Sequence, residues 1–137
     1  MSTATAPVPE TSTGPEVVIG VDTHKHTHMA VALSANGGWL GSLKLEAKRS
    51  GYRELMRWAA EFGGNPLFAV EGTGCYGAGL CRALQTAGLD VVEVNRPDRS
   101  TRRRLGKDDT IDAESAARAF IAGTARVIPR PVMTWWR

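Results

Sequence analysis

Long apolar runs and cysteine pairs are both scarce in this 137-residue sequence, and each scarcity excludes a class of protein. No stretch approaches the ~18 consecutive apolar residues that a membrane-spanning helix needs. Because only 2 cysteines are present, we expect neither a disulfide framework nor a Cys-x-x-Cys metal site, which is typical of a cytoplasmic protein. Charge of one sign is not in large excess either, since 17 Lys and Arg face 14 Asp and Glu.

What is present fits one globular domain. Apolar residues make up 42% and charged residues 23% of the chain, a balance too apolar for a fully disordered protein. Residues 1–15 differ, because they consist mostly of Ser, Thr, Ala, Pro and Gly and lack the basic and apolar segments of a signal peptide. We predict a disordered leader over 1–15, an ordered domain over 16–125 and an unstructured tail over 126–137.

The hydrophobic pattern predicts the element order β-β-β-α-β-α-β-α. Strands are expected at 17–22, 28–35, 39–47, 67–71 and 89–95. Three helices are expected: one at 50–64, one that ends at about residue 87, and one at 108–123. A meander followed by alternating strands and helices indicates an α/β fold, a mixed sheet with helices on both faces. The order resembles that of ribonuclease H-like domains.

Acidic residues follow the apolar strands at two places. Asp22 and Glu71 each end such a strand, and parallel neighbours would bring both to one edge of the sheet. Asp109 and Asp112 lie three apart and share a helix face, with Asp108 as a competing choice. Converging carboxylates favour Mg²⁺ or Mn²⁺, and such ions support phosphodiester cleavage. The alternative is that each acid caps a turn or complements a helix dipole.

Three segments around these acids resemble the sequence blocks of DEDD-type insertion-sequence transposases, a family related to the Piv DNA invertases. They read VIGVDTHK at 18–25, AVEGTG at 69–74 and RLGKDDTIDAESAAR at 104–118. The resemblance covers residues 17–124 and implies a RuvC-like catalytic domain in DNA transposition and recombination. It also implies an Mg²⁺-dependent tetrad of Asp22, Glu71, Asp109 and Asp112, which act as metal ligands and catalytic residues.

The same resemblance implies DNA as the substrate, a homo-oligomeric enzyme and, in some members, a guide RNA. Two departures affect it. Asp108 stands where the family commonly has Ser or Thr, and the family's second domain, which carries a catalytic serine, does not follow here. Whether this chain is an active enzyme is therefore left open. The alternatives are an inactive truncated remnant that binds nucleic acid or full-length transposase, and a stand-alone nuclease similar to Holliday-junction resolvases.

Basic residues concentrate before the last predicted helix. Segment 96–107 holds six Lys and Arg against one Asp, a suitable arrangement for a phosphate backbone. The predicted nucleic-acid contacts are Lys25, Arg99, Arg102, Arg103, Arg104 and Lys107. A solvated loop, or a surface for an acidic partner, is the alternative.

Two further motifs suggest other ligands. Residues 72–77 match G-x-G-x-x-G, the pattern of a dinucleotide-binding turn. Two features disfavour a dinucleotide: Glu71 would repel its pyrophosphate, and the motif follows the fourth strand instead of the first. His24, His26 and His28 alternate as in a zinc site, yet no Cys lies near them in sequence. We interpret the histidines as a polar turn near the nucleic acid, and Cys75 and Cys81 as small core residues.

Overall fold

The structure, a computed structural model, describes residues 15–72, 76–95, 109–123 and 126–129. The elements in these ranges are β1 (Val17–Thr23), β2 (Thr27–Ser34), β3 (Trp39–Glu46), α1 (Arg49–Ala60), β4 (Pro66–Glu71), α2 (Ala78–Thr86), β5 (Asp90–Asn95), α3 (Asp109–Ala122) and β6 (Arg126–Pro129). No helix in the described part of the chain is long and apolar enough to cross a membrane.

The strands form one mixed sheet in the order β3-β2-β1-β4-β5-β6. Strands β1, β2 and β3 pair antiparallel as a meander, whereas β1, β4 and β5 are parallel neighbours. All seven residues of β1 are buried, as expected of a central strand covered on both faces. The predicted α/β fold with a mixed sheet is confirmed.

Helices cover both faces of the sheet, with different side chains between the layers. On one face, α1 and α2 pack large apolar residues against the sheet, among them Leu55, Leu80 and Leu84 against Phe68. On the other face, α3 contributes mainly alanines to a second cluster: Ala113 and Ala117 pack against Val18, Val31, Leu33, Ala69 and Val94. The layer between α3 and the sheet is therefore thinner and contains less side-chain volume than the layer between the sheet and helices α1 and α2.

Close approach of α3 depends on a glycine in the central strand. A Cβ atom at Gly20 would overlap the carbonyl oxygen of Ala113 and lie 2.6 Å from the backbone nitrogen of Ala117. Ala113 and Ala117 are themselves fully buried, so the backbone of the helix rests directly on the backbone of β1. No larger residue fits at position 20 unless the helix moves.

Two segments differ from the sequence prediction. Helix α1 begins at Arg49, so Ser50 lies inside its first turn and is not the cap; Tyr52 N–H already bonds the Lys48 carbonyl at 2.9 Å. Residues 126–129, predicted as unstructured, form β6 antiparallel to β5. The reason is that β5 offers an unpaired edge and Val127 and Ile128 favour strands. Residues 1–14 and 130–137 lie outside the described ranges.

Substituting Gly20 by Ala should destabilise the protein by about 1–3 kcal/mol, because the added methyl group has no room beneath α3. Gly41→Ala is the matched control, since a Cβ there meets its nearest neighbour, Trp58 Cζ2, at an ordinary 3.6 Å. Urea unfolding of both variants and the wild type measures the difference. Equal free energies of unfolding for the two variants would contradict the close packing.

Candidate metal centre

The carboxyl ends of two parallel strands bring Asp22 and Glu71 side by side. The two residues are register partners at the ends of β1 and β4. Register partners on neighbouring parallel strands are about 4.8 Å apart and point to the same face of the sheet. Asp22 is 0% and Glu71 4% exposed, so two acidic side chains share a buried position. This pairing agrees with the prediction from the strand ends.

The third carboxylate comes from the first turn of α3. Ala113 lies over Gly20, and Arg118, further along the helix, lies close to Gly37 in the turn after β2. Because that turn follows Ser34, the partner of Val17 at the start of β1, α3 runs antiparallel to β1. The beginning of α3 therefore lies at the carboxyl end of β1. Asp112, 3% exposed, is buried at that end.

For the fourth predicted ligand, Asp109, the structure describes only the place of the residue in α3. Asp109 is the first residue of α3, but its side chain lies outside the described set, as does the whole of Asp108. The choice between these two acids remains a prediction. In the part of the chain that the structure describes, no group of three or more His, Cys, Asp or Glu is arranged to hold a metal ion. Among the described residues, the candidate centre is a set of carboxylates at one sheet edge.

The donor set nevertheless fits a hard divalent cation. Asp22, Glu71 and Asp112 supply carboxylate oxygens, the ligands that Mg²⁺ and Mn²⁺ prefer. Buried like charges repel each other unless a cation or a proton offsets them. The residues present therefore match the group that the sequence blocks imply.

Two residues that follow Asp22 contact the two strand-end acids, although the sequence pattern did not identify them as site residues. Thr23 Oγ1 donates a hydrogen bond to the Glu71 carbonyl oxygen at 2.8 Å, which joins the ends of β1 and β4. The Nε2 atom of His24 lies 2.7 Å from Oδ2 of Asp22. The only sequence signal for these contacts was adjacency to a predicted ligand.

The three histidines occupy different environments. His26 is exposed in the turn between β1 and β2, whereas His28 lies on β2, is only 1% exposed and stacks on Tyr52 at a ring distance of 6.2 Å. Burial lowers the pKa of His28, opposed by a hydrogen bond with the Thr27 backbone and reinforced by the nearby His24. The interpretation of all three as one polar turn is therefore wrong for His28.

The remaining predicted contacts are divided between described and other parts of the chain. Lys25 is exposed in the turn directly after β1, close in sequence to Asp22. The other predicted nucleic-acid contacts, Arg99, Arg102, Arg103, Arg104 and Lys107, lie outside the described residues.

In the glycine motif, Gly72 has φ = 85° and lies against Thr23 Oγ1. Cys81 is buried in the core as predicted, whereas Cys75 is not described.

The sheet order and the helices on both faces are those of a RuvC-like, ribonuclease H-like fold. Two solved structures of RuvC from Thermus thermophilus are similar to the chain, each 15% identical in sequence and each covering 82% of this chain and 99% of that one. The structure of T. thermophilus RuvC in complex with a Holliday junction substrate gives a TM-score of 0.57, and the structure titled without a substrate gives 0.54. At this identity the similarity shows the fold.

The family follows from the sequence itself. The model of the IS110-type DEDD transposases, described as transposase, matches residues 19–135. Because the match spans most of the chain, this protein belongs to that transposase family, and it contains the family's RuvC-like catalytic domain. The family predicted from the three sequence blocks is confirmed. No curated protein sequence matches the chain.

Lowering the pH should destabilise the protein through His28. Its pKa is held below the ordinary 6.5, so the unfolded chain takes up a proton that the folded chain resists. Stability is therefore full above about pH 6.5 and falls as the pH drops below it, by at most about 1.4 kcal/mol per pH unit. We expect His28→Gln to flatten this part of the thermal-unfolding profile between pH 7.5 and 5.

His26→Gln, which changes an exposed histidine of the neighbouring turn, serves as the control and should keep the wild-type pH dependence. If His28→Gln has the same pH profile as the wild type, the burial of a neutral His28 does not govern acid stability.

Proposed function

We propose that Asp22, Glu71, Asp109 and Asp112 hold Mg²⁺ or Mn²⁺ and that the chain uses this centre for DNA phosphodiester chemistry in transposition. The observation that carries the proposal is the register pairing of two buried carboxylates, Asp22 and Glu71, at the carboxyl ends of adjacent parallel strands. DEDD transposases and RuvC-like nucleases generally depend on divalent metals, and the donor set here agrees with that dependence.

Each element would contribute a separate part of the task. Strands β1 and β4 fix Asp22 and Glu71 through backbone pairing, and Thr23 joins the two strand ends. Helix α3 brings Asp112 to the same edge through its close packing on Gly20. A bound divalent ion supplies electrostatic stabilisation of the charge that develops on the phosphate oxygens. The protein provides the buried, oriented carboxylates that such an ion needs.

The proposed substrate is DNA, bound chiefly by its phosphates. Lys25 is exposed beside the acidic edge, where its charge would attract a phosphate backbone toward the carboxylates. Arg99, Arg102, Arg103, Arg104 and Lys107 precede α3 in sequence, so we include them in the same surface. A guide RNA and a homo-oligomeric enzyme belong to the same proposal as implications of the family.

A second candidate substrate is branched DNA. The similar RuvC structure contains a Holliday junction, and the present chain covers 99% of that RuvC chain. A four-way junction is therefore the DNA to test beside a linear duplex. Cleavage of the junction by this chain would support a stand-alone nuclease, and binding without cleavage would support an inactive remnant.

Removing one strand-end carboxylate should weaken metal binding. We expect the wild type to bind Mn²⁺ and Asp22→Asn to bind it more than about tenfold more weakly, as measured by isothermal titration calorimetry. In metal-free buffer the same variant should unfold at a higher temperature than the wild type, because one of several buried like charges is gone. Added Mn²⁺ should then stabilise only the wild type.

Asp90→Asn is the control, since Asp90 is an exposed aspartate at the start of β5 and so lies at the opposite edge of the parallel strands. Unchanged Mn²⁺ affinity in Asp22→Asn would overturn the metal centre.

The basic segment should govern the salt dependence of DNA binding. Replacing Arg102, Arg103 and Arg104 together by Ala should make the fall of the log DNA-binding constant with log salt concentration less steep. The magnitude of the slope should decrease by about 2–3, since each lost phosphate contact removes about 0.9. Fluorescence anisotropy with a linear duplex and a four-way junction measures the slope. The control is Arg53→Ala with Arg57→Ala on α1, two exposed arginines on the opposite face of the sheet, which should leave it unchanged. Equal slopes in all proteins would exclude the segment from the interface.

A further inference from the structure

A histidine side chain holds one oxygen of the proposed ligand Asp22. Nε2 of His24 lies 2.7 Å from Oδ2 of Asp22, the distance of a strong hydrogen bond. A metal-binding carboxylate is ionised and has no proton to give, so with Asp22 as a ligand Nε2 carries the hydrogen and donates it. Asp22 is completely buried, whereas the His24 side chain is 36% exposed. His24 therefore contacts the carboxylate from the solvent side of the site.

The backbone of His24 is fixed independently of that contact. Its N–H points toward the Thr27 carbonyl oxygen at 3.1 Å and toward Nδ1 of His28 at 3.3 Å. His28 is buried and its ring lies nearly parallel to that of Tyr52, at an interplanar angle of 10°. Tyr52 belongs to α1, so the turn that carries His24 is connected to the core on the opposite face of the sheet. The imidazole is consequently presented from a supported turn.

We infer that His24 is a positioning residue for the metal centre, which fixes the orientation of the Asp22 carboxylate by donating to Oδ2. This inference rests on the proposed function, because it concerns how the proposed ligand meets its ion. A donor to one oxygen stops the carboxylate from rotating and leaves Oδ1 oriented in one direction. Hydrogen-bond partners of this kind typically change metal affinity by about 10–100-fold when they are removed.

The neighbouring turn residues provide an internal comparison. Lys25 and His26 are exposed in the same turn, and the contact of the turn with β3 uses the backbone oxygen of His26, bonded to Ala47 N at 2.9 Å. Removing the His26 side chain therefore leaves that backbone contact in place. His26→Ala removes one imidazole from the turn as His24→Ala does, without touching the bond to Asp22.

The test compares Mn²⁺ affinity by isothermal titration calorimetry in four variants of the full chain, His24→Ala, His24→Gln, His26→Ala and Asp22→Asn. We expect His24→Ala to bind about 10–100-fold more weakly and His26→Ala to bind like the wild type. His24→Gln should recover most of the affinity, because the Gln amide nitrogen replaces Nε2 as a donor to Oδ2. Thermal unfolding confirms that every variant is folded.

A metal-free measurement tests the contact itself. Long-range ¹⁵N–¹H NMR of protein labelled at histidine should show the His24 proton on Nε2, with a shift that changes in Asp22→Ala and not in His26→Ala. A His24 ring insensitive to Asp22→Ala would overturn the inference whatever the metal data show.

The outcomes separate this inference from the metal centre. Wild-type affinity in His24→Ala together with lost affinity in Asp22→Asn overturns the role of His24 alone. Failure of His24→Gln to recover affinity also overturns it, because donation to Oδ2 is then not what matters. Wild-type affinity in both His24→Ala and Asp22→Asn overturns the proposed metal centre and this role with it.

Discussion

The absence of a side chain at Gly20 is the constraint on which the site depends. The backbone of α3 rests on β1 at this position, and any Cβ atom would push the helix away. The aspartate side chain is short, so Asp112 reaches the sheet edge only from a helix that lies this close. The distance between α3 and β1, which determines where Asp112 lies, is therefore set by the small residues Gly20, Ala113 and Ala117.

The two faces of the sheet differ in packing and in buried charge. Large side chains under α1 and α2 bury most of the apolar volume, and the thin layer under α3 adds less. The three buried carboxylates lie on the thin side, where they oppose folding unless a cation offsets their charge. The thick layer on the opposite face supplies the stability that lets a repulsive site persist, as is common where function conflicts with local stability.

The acidic residues of the candidate site were easier to predict from the sequence than the contacts between them and their neighbours. Asp22 and Glu71 were recognisable because an acid after an apolar strand is conspicuous, whereas their exact register depends on pairing between segments 49 residues apart. Strand β6 was missed because four residues carry too little periodicity to stand out. The contact of His24 with Asp22 was missed because it depends on the turn geometry, and a run of alternating histidines looks the same in a solvated turn.

The place of the carboxylates in the sheet follows from its topology. From β1 the chain moves to β2 and β3 on one side, and later to β4, β5 and β6 on the other, so the strand order reverses between β1 and β4. Such a reversal leaves a crevice beyond the carboxyl ends of the two strands, where open α/β sheets bind their ligands. Asp22 and Glu71 end these same two strands. The topology thus places the crevice at this edge whatever the side chains are, and the acids that end the two strands are those proposed to bind a divalent cation there.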